Sequence, residues 1–158
     1  MSTAFVLFLA FAIGVVSGMR SFTGPAVAAW AANRNWLNLA GSRLAFMGST
    51  AAIAIFTLFA VIELIADKLP ATPSRTKPLG LIARFVLGAL SGACVVVSSG
   101  QYLAYGAVLG AAGGIAGAFA GHQWRTGLVN ALKVPDFVIA LVEDAIAIGA
   151  GLFIVTRH

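Results

Sequence analysis

The sequence predicts an all-α membrane protein, a polytopic bundle of about five transmembrane helices. Hydrophobic residues make up 60% of the 158 residues and charged residues only 9%, whereas a soluble domain carries about a quarter charged residues. The apolar residues fall in long runs, and a helix needs about 20 of them to cross the hydrocarbon core. These observations predict a single transmembrane domain over residues 1–158, with no length left for a soluble domain.

The balance of charge favours membrane lipids as partners over nucleic acid. Ten Lys and Arg residues against five acids give a net charge of +5, as expected of loops that lie against anionic headgroups. Nucleic-acid binding is disfavoured because the basic residues are scattered. Cys94 is the single cysteine and lies in an apolar run, so we expect a buried thiol, no disulfide, no Cys/His metal site and no cofactor.

The first apolar run, residues 1–19, has no formal charge. A secretory signal peptide begins with basic residues, but here the first basic residue, Arg20, follows the run. We therefore expect a retained first span and not a cleaved signal.

A proline interrupts the helical pattern shortly after this span. Proline lacks an N–H and restricts the residue before it, so Gly24 and Pro25 predict a helix break. Residues 26–32 resume a helical pattern, which predicts a broken helix with one half ending near Met19 and the other near Asn33. The alternative is a plain first span followed by a helix in the membrane interface.

The second span is predicted at residues 44–62, after a segment of headgroup-level composition at 33–43. It leads into Glu63 and Asp67, which are four residues apart and therefore project from one helix face. Residues 67–78 contain three prolines and predict an extended loop.

Residues 85–121 carry no formal charge and are too long for one crossing. Residues 98–101 predict a hairpin between spans three and four. Span four ends at 122–125, where His122 is expected at headgroup level, with a proton relay as the alternative, and 126–135 form a loop. Glycines spaced by three or four residues predict close contact with another backbone: Gly88, Gly92, Gly106, Gly110, Gly113, Gly114, Gly117 and Gly121.

The fifth span is predicted at residues 137–156, between Asp136 and Arg157. Glu143 and Asp144 lie side by side in its first half, where each ionised carboxylate costs about 2.5–3.5 kcal/mol on insertion scales. We therefore expect other segments to supply partners for these acids.

The two halves of the chain, 1–78 and 79–158, resemble each other. If they are repeats, three crossings separate the matched features, and the copies run in opposite directions, as in transporters built from inverted repeats. The matched features are Gly14-x3-Gly18 with Gly117-x3-Gly121 and Glu63 with Glu143.

Five spans would place the N-terminus and the loops 67–84 and 122–135 on one side of the membrane. Six basic residues on that side against four on the other mildly favour a cytoplasmic N-terminus. The near-balance also permits insertion in both orientations and a homodimer. The two sets are Lys68, Arg75, Lys77, Arg84, Arg125 and Lys133, and Arg20, Arg34, Arg43 and Arg157.

Three separated motifs resemble a family of small bacterial inner-membrane proteins known as domain of unknown function 4126. The motifs are Gly18-Met-Arg-Ser-Phe-Thr-Gly-Pro25, Glu63-x3-Asp67-Lys-Leu-Pro70 with Pro73 and Arg75, and Glu143-Asp-Ala-Ile-Ala147. The resemblance covers almost the whole chain. It implies a multi-pass protein of the bacterial inner membrane and carries no settled activity.

The charged residues within or beside the spans predict one buried polar site. Carboxylates at low dielectric suit the binding and release of protons or cations, and arginines beside a helix break suit an anionic group. We therefore expect a transporter or channel-like protein for an ion or small solute. The expected site residues are Glu63, Asp67, Glu143, Asp144, Arg20, Arg84 and Arg125, with Gly24 and Pro25 as the helix break.

The sequence leaves two alternatives to transport. The arginines would neutralise the acids and lock the bundle in a non-transporting scaffold or lipid-interacting protein. An enzyme is not expected, because the sequence has no Ser-His-Asp set, no His-rich metal spacing and no phosphate-binding loop.

Overall fold

The computed structural model describes residues 1–69 and 77–158, which form six α-helices, a short 3-10 helix at Ala45–Gly48, and no strand. The helices are α1 (Thr3–Met19), α2 (Thr23–Asn33), α3 (Thr50–Ala66), α4 (Pro78–Ser98), α5 (Leu103–Leu132) and α6 (Asp136–Thr156). α4, α5 and α6 are long and apolar enough to cross a membrane, and α1 and α3 are shorter apolar helices of 17 residues. The chain is therefore an all-α membrane protein.

The predicted helix break exists, but it lies before Gly24 and Pro25. α1 ends at Met19 and α2 begins at Thr23, so Pro25 occupies the first turn of α2, where a helix does not need its N–H. Gly24 serves close packing, since a Cβ there would collide with Ser17 Oγ.

α2 returns alongside α3 in the opposite direction, so that α1 and α2 form a helical hairpin. The rings of Phe22 and Phe59 stack with centroids 5.0 Å apart, and Trp30 Nε1 donates to Thr57 Oγ1 at 3.0 Å. Most of α2 is buried, with contacts to α3, α4 and α6. The chain thus has a broken helix whose second half turns back into the protein, and not an interfacial helix.

Glycines allow the backbones of α1, α4 and α5 to lie in direct contact. A Cβ on Gly14 would meet the backbone of Gly110, and one on Gly88 or Gly92 would meet the backbone of α5. Any side chain at these positions would separate the helices, which is why the close spacing of glycines is needed.

The same contacts show that α1 and α5 are parallel, since Phe11 and Val15 of α1 lie beside Gly113 and Gly117 of α5, respectively. The sequence-based expectation that these two spans run in opposite directions is therefore wrong. The physical reason is the hairpin, which adds one reversal of the chain before α3.

Because of the hairpin, the segments that share one end of the bundle differ from those predicted, and the predicted sides are wrong. Asn38 N donates to Ser98 Oγ at 2.8 Å, and Ser99 Oγ lies 2.6 Å from His158 Nε2, so these segments share one end of the bundle. We call this the arginine end, formed by residues 34–49, 99–102 and 157–158 together with the N-terminus. The opposite end, which we call the cluster end, is formed by residues 20–22, 67–69, 77 and 133–135. Arg20 therefore lies with the later loops and not with Arg34, Arg43 and Arg157.

Helix bounds differ from the sequence prediction in two places. α5 continues through most of the predicted 126–135 loop to Leu132, and Lys133 ends it in the left-handed conformation, with φ of 52°. α3 begins at Thr50, where Ser49 Oγ accepts from Ala52 N at 3.1 Å. The hairpin at 98–101 is confirmed, and Gly100 provides its positive φ of 72°. The predicted extended loop at 67–78 lies mostly outside the described residues, including Pro70, Pro73 and Arg75.

Candidate functional site: a buried charge cluster

All five acidic residues of the sequence form ion pairs near the cluster end: four lie in one network around Arg20 and Arg125, and Glu63 pairs with Arg84 beside it. Glu143 lies seven residues into α6 after Asp136, about 10 Å along the helix at ~1.5 Å per residue. The network therefore extends from the end of the bundle into its interior. We call the network and the adjoining pair together the charge cluster, which comprises Arg20, Glu63, Asp67, Lys68, Arg84, Arg125, Asp136, Glu143 and Asp144.

Arg20 is the centre of the cluster and is only 1% exposed. Its position at the reversal between α1 and α2 lets one guanidinium reach two other helices. Nη1 lies 2.5 Å from Asp67 Oδ2 at the end of α3, and Nη2 lies 2.6 Å from Asp144 Oδ1 on α6. Glu143 Oε2 is 3.5 Å from the same Nη2. The buried Nε has no hydrogen-bond partner among the described residues.

Glu63 holds the tip of the hairpin. Its Oε1 accepts from Ser21 N at 2.8 Å and its Oε2 from Phe22 N at 3.0 Å. These N–H groups precede α2 and have no partner within that helix, so an anionic acceptor is favourable there. The spacing of Glu63 and Asp67 thus places one carboxylate on the hairpin backbone and the other on Arg20.

Arg84 connects α4 to the same region. Its Nε donates to Gly18 O at 2.9 Å near the C-terminal end of α1, where unpaired carbonyls favour a cation. Its Nη2 lies 3.7 Å from Glu63 Oε1. Arg84 therefore links α1, α3 and α4.

Arg125 links the cluster to the surface. It forms ion pairs with Asp67 and with Asp136, and its Nη1 lies 3.7 Å from Glu143 Oε2. Side-chain exposure falls from 58% at Asp136 to 12% at Arg125 and 0% at Glu143. Charged groups thus continue without a gap from solvent to a wholly buried carboxylate.

Lys68 and Asp136 complete the cluster and were not among the predicted site residues. Lys68 Nζ lies 2.6 Å from Asp144 Oδ2 and donates to Leu64 O at 2.6 Å. In the sequence, both residues lie at the ends of apolar runs and were interpreted as boundaries of spans. For Lys68 the available signal was a charge opposite to those of Glu63 and Asp67 in the preceding span, whereas Asp136 has the same sign as the other acids of its own helix and gave no such signal.

Buried hydroxyl groups lie next to the cluster on the side of the bundle interior. Ser17 Oγ and Ser91 Oγ are 3.4 Å apart, and neither residue is exposed. Beyond them the core contains Ala28, Cys94 and Val95. Over the described residues, no group of three or more His, Cys, Asp or Glu side chains has the arrangement of a metal site.

The structure brings all seven predicted site residues into the charge cluster, with Glu63 and Arg84 as a pair beside the Arg20 network, and Gly24 and Pro25 lie in the adjoining first turn of α2. The model of one protein family matches residues 7–157, which is nearly the whole chain. The chain belongs to the family described as domain of unknown function, DUF4126. No curated protein and no solved structure matches this DUF4126 chain.

Proposed function

We propose that this DUF4126 protein moves a proton or another small ion across a membrane, with the charge cluster as its site. The observation that carries the proposal is the unbroken series of ion pairs from exposed Asp136 through Arg125 and Asp67 to Arg20 and Glu143. Ionisable groups within membrane proteins are costly and line substrate or proton pathways.

The geometry supports the binding and release of an ion or proton at the inner end of this series. Arg20 holds carboxylates from two different helices, so a shift of the hairpin tip would loosen both pairs at once. The contacts of Glu143 with Arg20 and Arg125, at 3.5 and 3.7 Å, are longer than those of Asp67 and Asp144 with Arg20. Glu143 is therefore the carboxylate that we assign to ion or proton binding.

We further propose that the protein resides in a bacterial inner membrane as a homodimer. In this arrangement α3 to α6 cross the bilayer, and the α1–α2 hairpin enters it from the arginine end. The hairpin tip then lies at the depth of the charge cluster, where irregular backbone requires partners within the protein. Glu63 provides those partners.

The proposal is tested in proteoliposomes under an imposed membrane potential, with protons, Na⁺ and K⁺ examined in turn. Wild-type protein is expected to increase the flux of one of these ions over empty vesicles. Asp136→Asn is expected to reduce that flux, because the variant removes the exposed charge at the mouth of the series. Lys133→Gln, an exposed change nearby, is the matched control and is expected to retain it. Flux equal to that of empty vesicles for every ion would contradict the proposal.

A second candidate is a non-transporting scaffold locked by the same charges. It is favoured by the finding that each of the five acids has at least one basic side chain within 4 Å. A lock predicts that neutral substitutions in the cluster lower thermal stability and that no flux exists to lose. Measurement of flux and melting temperature on the same variants separates the two candidates.

A further inference from the structure

The arginine end carries no acidic residue. All five acids of the sequence belong to the charge cluster, so the three exposed arginines at the arginine end, Arg34, Arg43 and Arg157, have no carboxylate side chain to neutralise them there. The two ends therefore differ in how their charges are arranged, because every acid lies in the charge cluster and the exposed arginines at the other end have no acidic side chain beside them.

Two of these arginines are held on aromatic rings. The guanidinium carbon of Arg34 lies 5.8 Å from the centroid of the Trp30 ring, and that of Arg157 lies 5.0 Å from the Phe153 ring. Trp30 is itself fixed by its hydrogen bond to Thr57. A stacked guanidinium keeps its N–H edge available, and that edge matches two oxygens of a phosphate group.

A small cleft opens beside Arg157. It has a volume of about 210 Å³ and is lined by Trp36, Val155, Thr156 and His158. Trp36 is 48% exposed, as is typical of tryptophan at the level of lipid headgroups. The cleft therefore offers a partly polar recess at the depth where lipid phosphates lie.

We propose that the arginine end binds the phosphate groups of anionic phospholipids. Charge complementarity selects this partner over zwitterionic lipid, because each Lys or Arg near an anionic membrane surface adds to its attraction. The proposal uses residues on the opposite end of the bundle from the charge cluster, so it stands or falls independently of ion transport.

The test is lipid binding to the purified full chain in detergent, measured by native mass spectrometry with phosphatidylglycerol and phosphatidylcholine. Wild-type protein is expected to prefer phosphatidylglycerol. The variant with Arg34→Gln, Arg43→Gln and Arg157→Gln is expected to lose roughly two orders of magnitude of that preference, at about fivefold for each arginine. The matched control, Lys77→Gln with Lys133→Gln at the cluster end, is expected to keep it.

Three results would overturn the proposal: no preference in the wild type, an unchanged preference in the triple variant, or an equal loss in the control. Inorganic phosphate is added as a competitor, and displacement of the lipid at equal concentration would assign the site to free phosphate instead. If the triple variant does not fold, Arg157→Gln alone is measured. That single variant is expected to lose about fivefold, and an unchanged preference would again overturn the proposal.

Discussion

Arg20 Nη2 and Asp144 Oδ1 lie 2.6 Å apart, which joins the tip of the N-terminal hairpin to the last helix of the chain. The arginine is 1% exposed, and the aspartate side chain is 10% exposed. A pair this far from water is held against the cost of removing both charges from solvent. The contact therefore fixes the hairpin tip against α6 and depends on both partners being present.

Replacement of Arg20 is expected to be among the most destabilising single changes in the chain. Arg20→Met leaves Asp67 and Asp144 without their shared guanidinium, and loss of one partner of a buried pair costs about 3–5 kcal/mol. The free energy of unfolding is measured by denaturant titration in detergent micelles. Arg34→Gln, at an exposed position, is the control and is expected to change it little. A loss below 1 kcal/mol in Arg20→Met would contradict this role.

Close packing of α4 and α5 predicts a contrast between two glycines. A Cβ on Gly110 would collide with the backbone of Gly88, whereas one on Gly149 would meet nothing within 4 Å. Gly110→Ala is expected to cost about 1–3 kcal/mol through overpacking, and Gly149→Ala is expected to be neutral or mildly stabilising. Thermal unfolding of the two variants side by side checks this, and equal effects would refute the packing.

The hairpin tip is expected to loosen when Glu63 is shortened. Glu63→Ala leaves the Ser21 and Phe22 N–H groups unsatisfied, at about 1–3 kcal/mol for each buried group. Glu63→Gln retains a carbonyl acceptor and should cost less. Hydrogen exchange of these two amides is the measurement: it should be slow in wild type and fastest in Glu63→Ala. Equal protection in all three proteins would argue against the cap.

Mild acid is expected to destabilise the fold through His158 at the arginine end. Burial lowers the pKa of His158, while a hydrogen bond with the Val95 backbone partly opposes this shift. A folded-state pKa below the unfolded value of ~6.5 means that the neutral imidazole stabilises the fold above about pH 6.5, and this contribution is lost as pH falls through the folded-state pKa. Melting temperature measured between pH 7.5 and 5 should therefore fall less in His158→Gln than in wild type. An identical decrease in the two proteins would exclude His158 as the cause.

Much of the architecture was predictable because apolar run length and glycine spacing have few structural solutions in a bilayer. The bounds of α6 and the break after Met19 followed from charges and a proline at the ends of apolar runs. The convergence of Arg20, Glu63 and Glu143 was also predictable, since acids within spans require partners.

The direction of α2 was not predictable from the sequence, and this one element reversed the expected side of the N-terminus. Its direction depends on long-range contacts, such as those of Glu63 with Ser21 and Phe22. For the same reason Lys68 was missed, because its partner Asp144 lies in a distant helix.

The most direct measurement for the charge cluster is ion flux through Glu143→Gln, with flux and melting temperature determined on the same purified protein. This variant keeps the size of the side chain and removes the charge of the most deeply buried carboxylate. We predict that its flux falls to that of empty vesicles while its melting temperature stays within a few degrees of wild type, as estimated for a change of about 1 kcal/mol. Undiminished flux in Glu143→Gln would contradict the account.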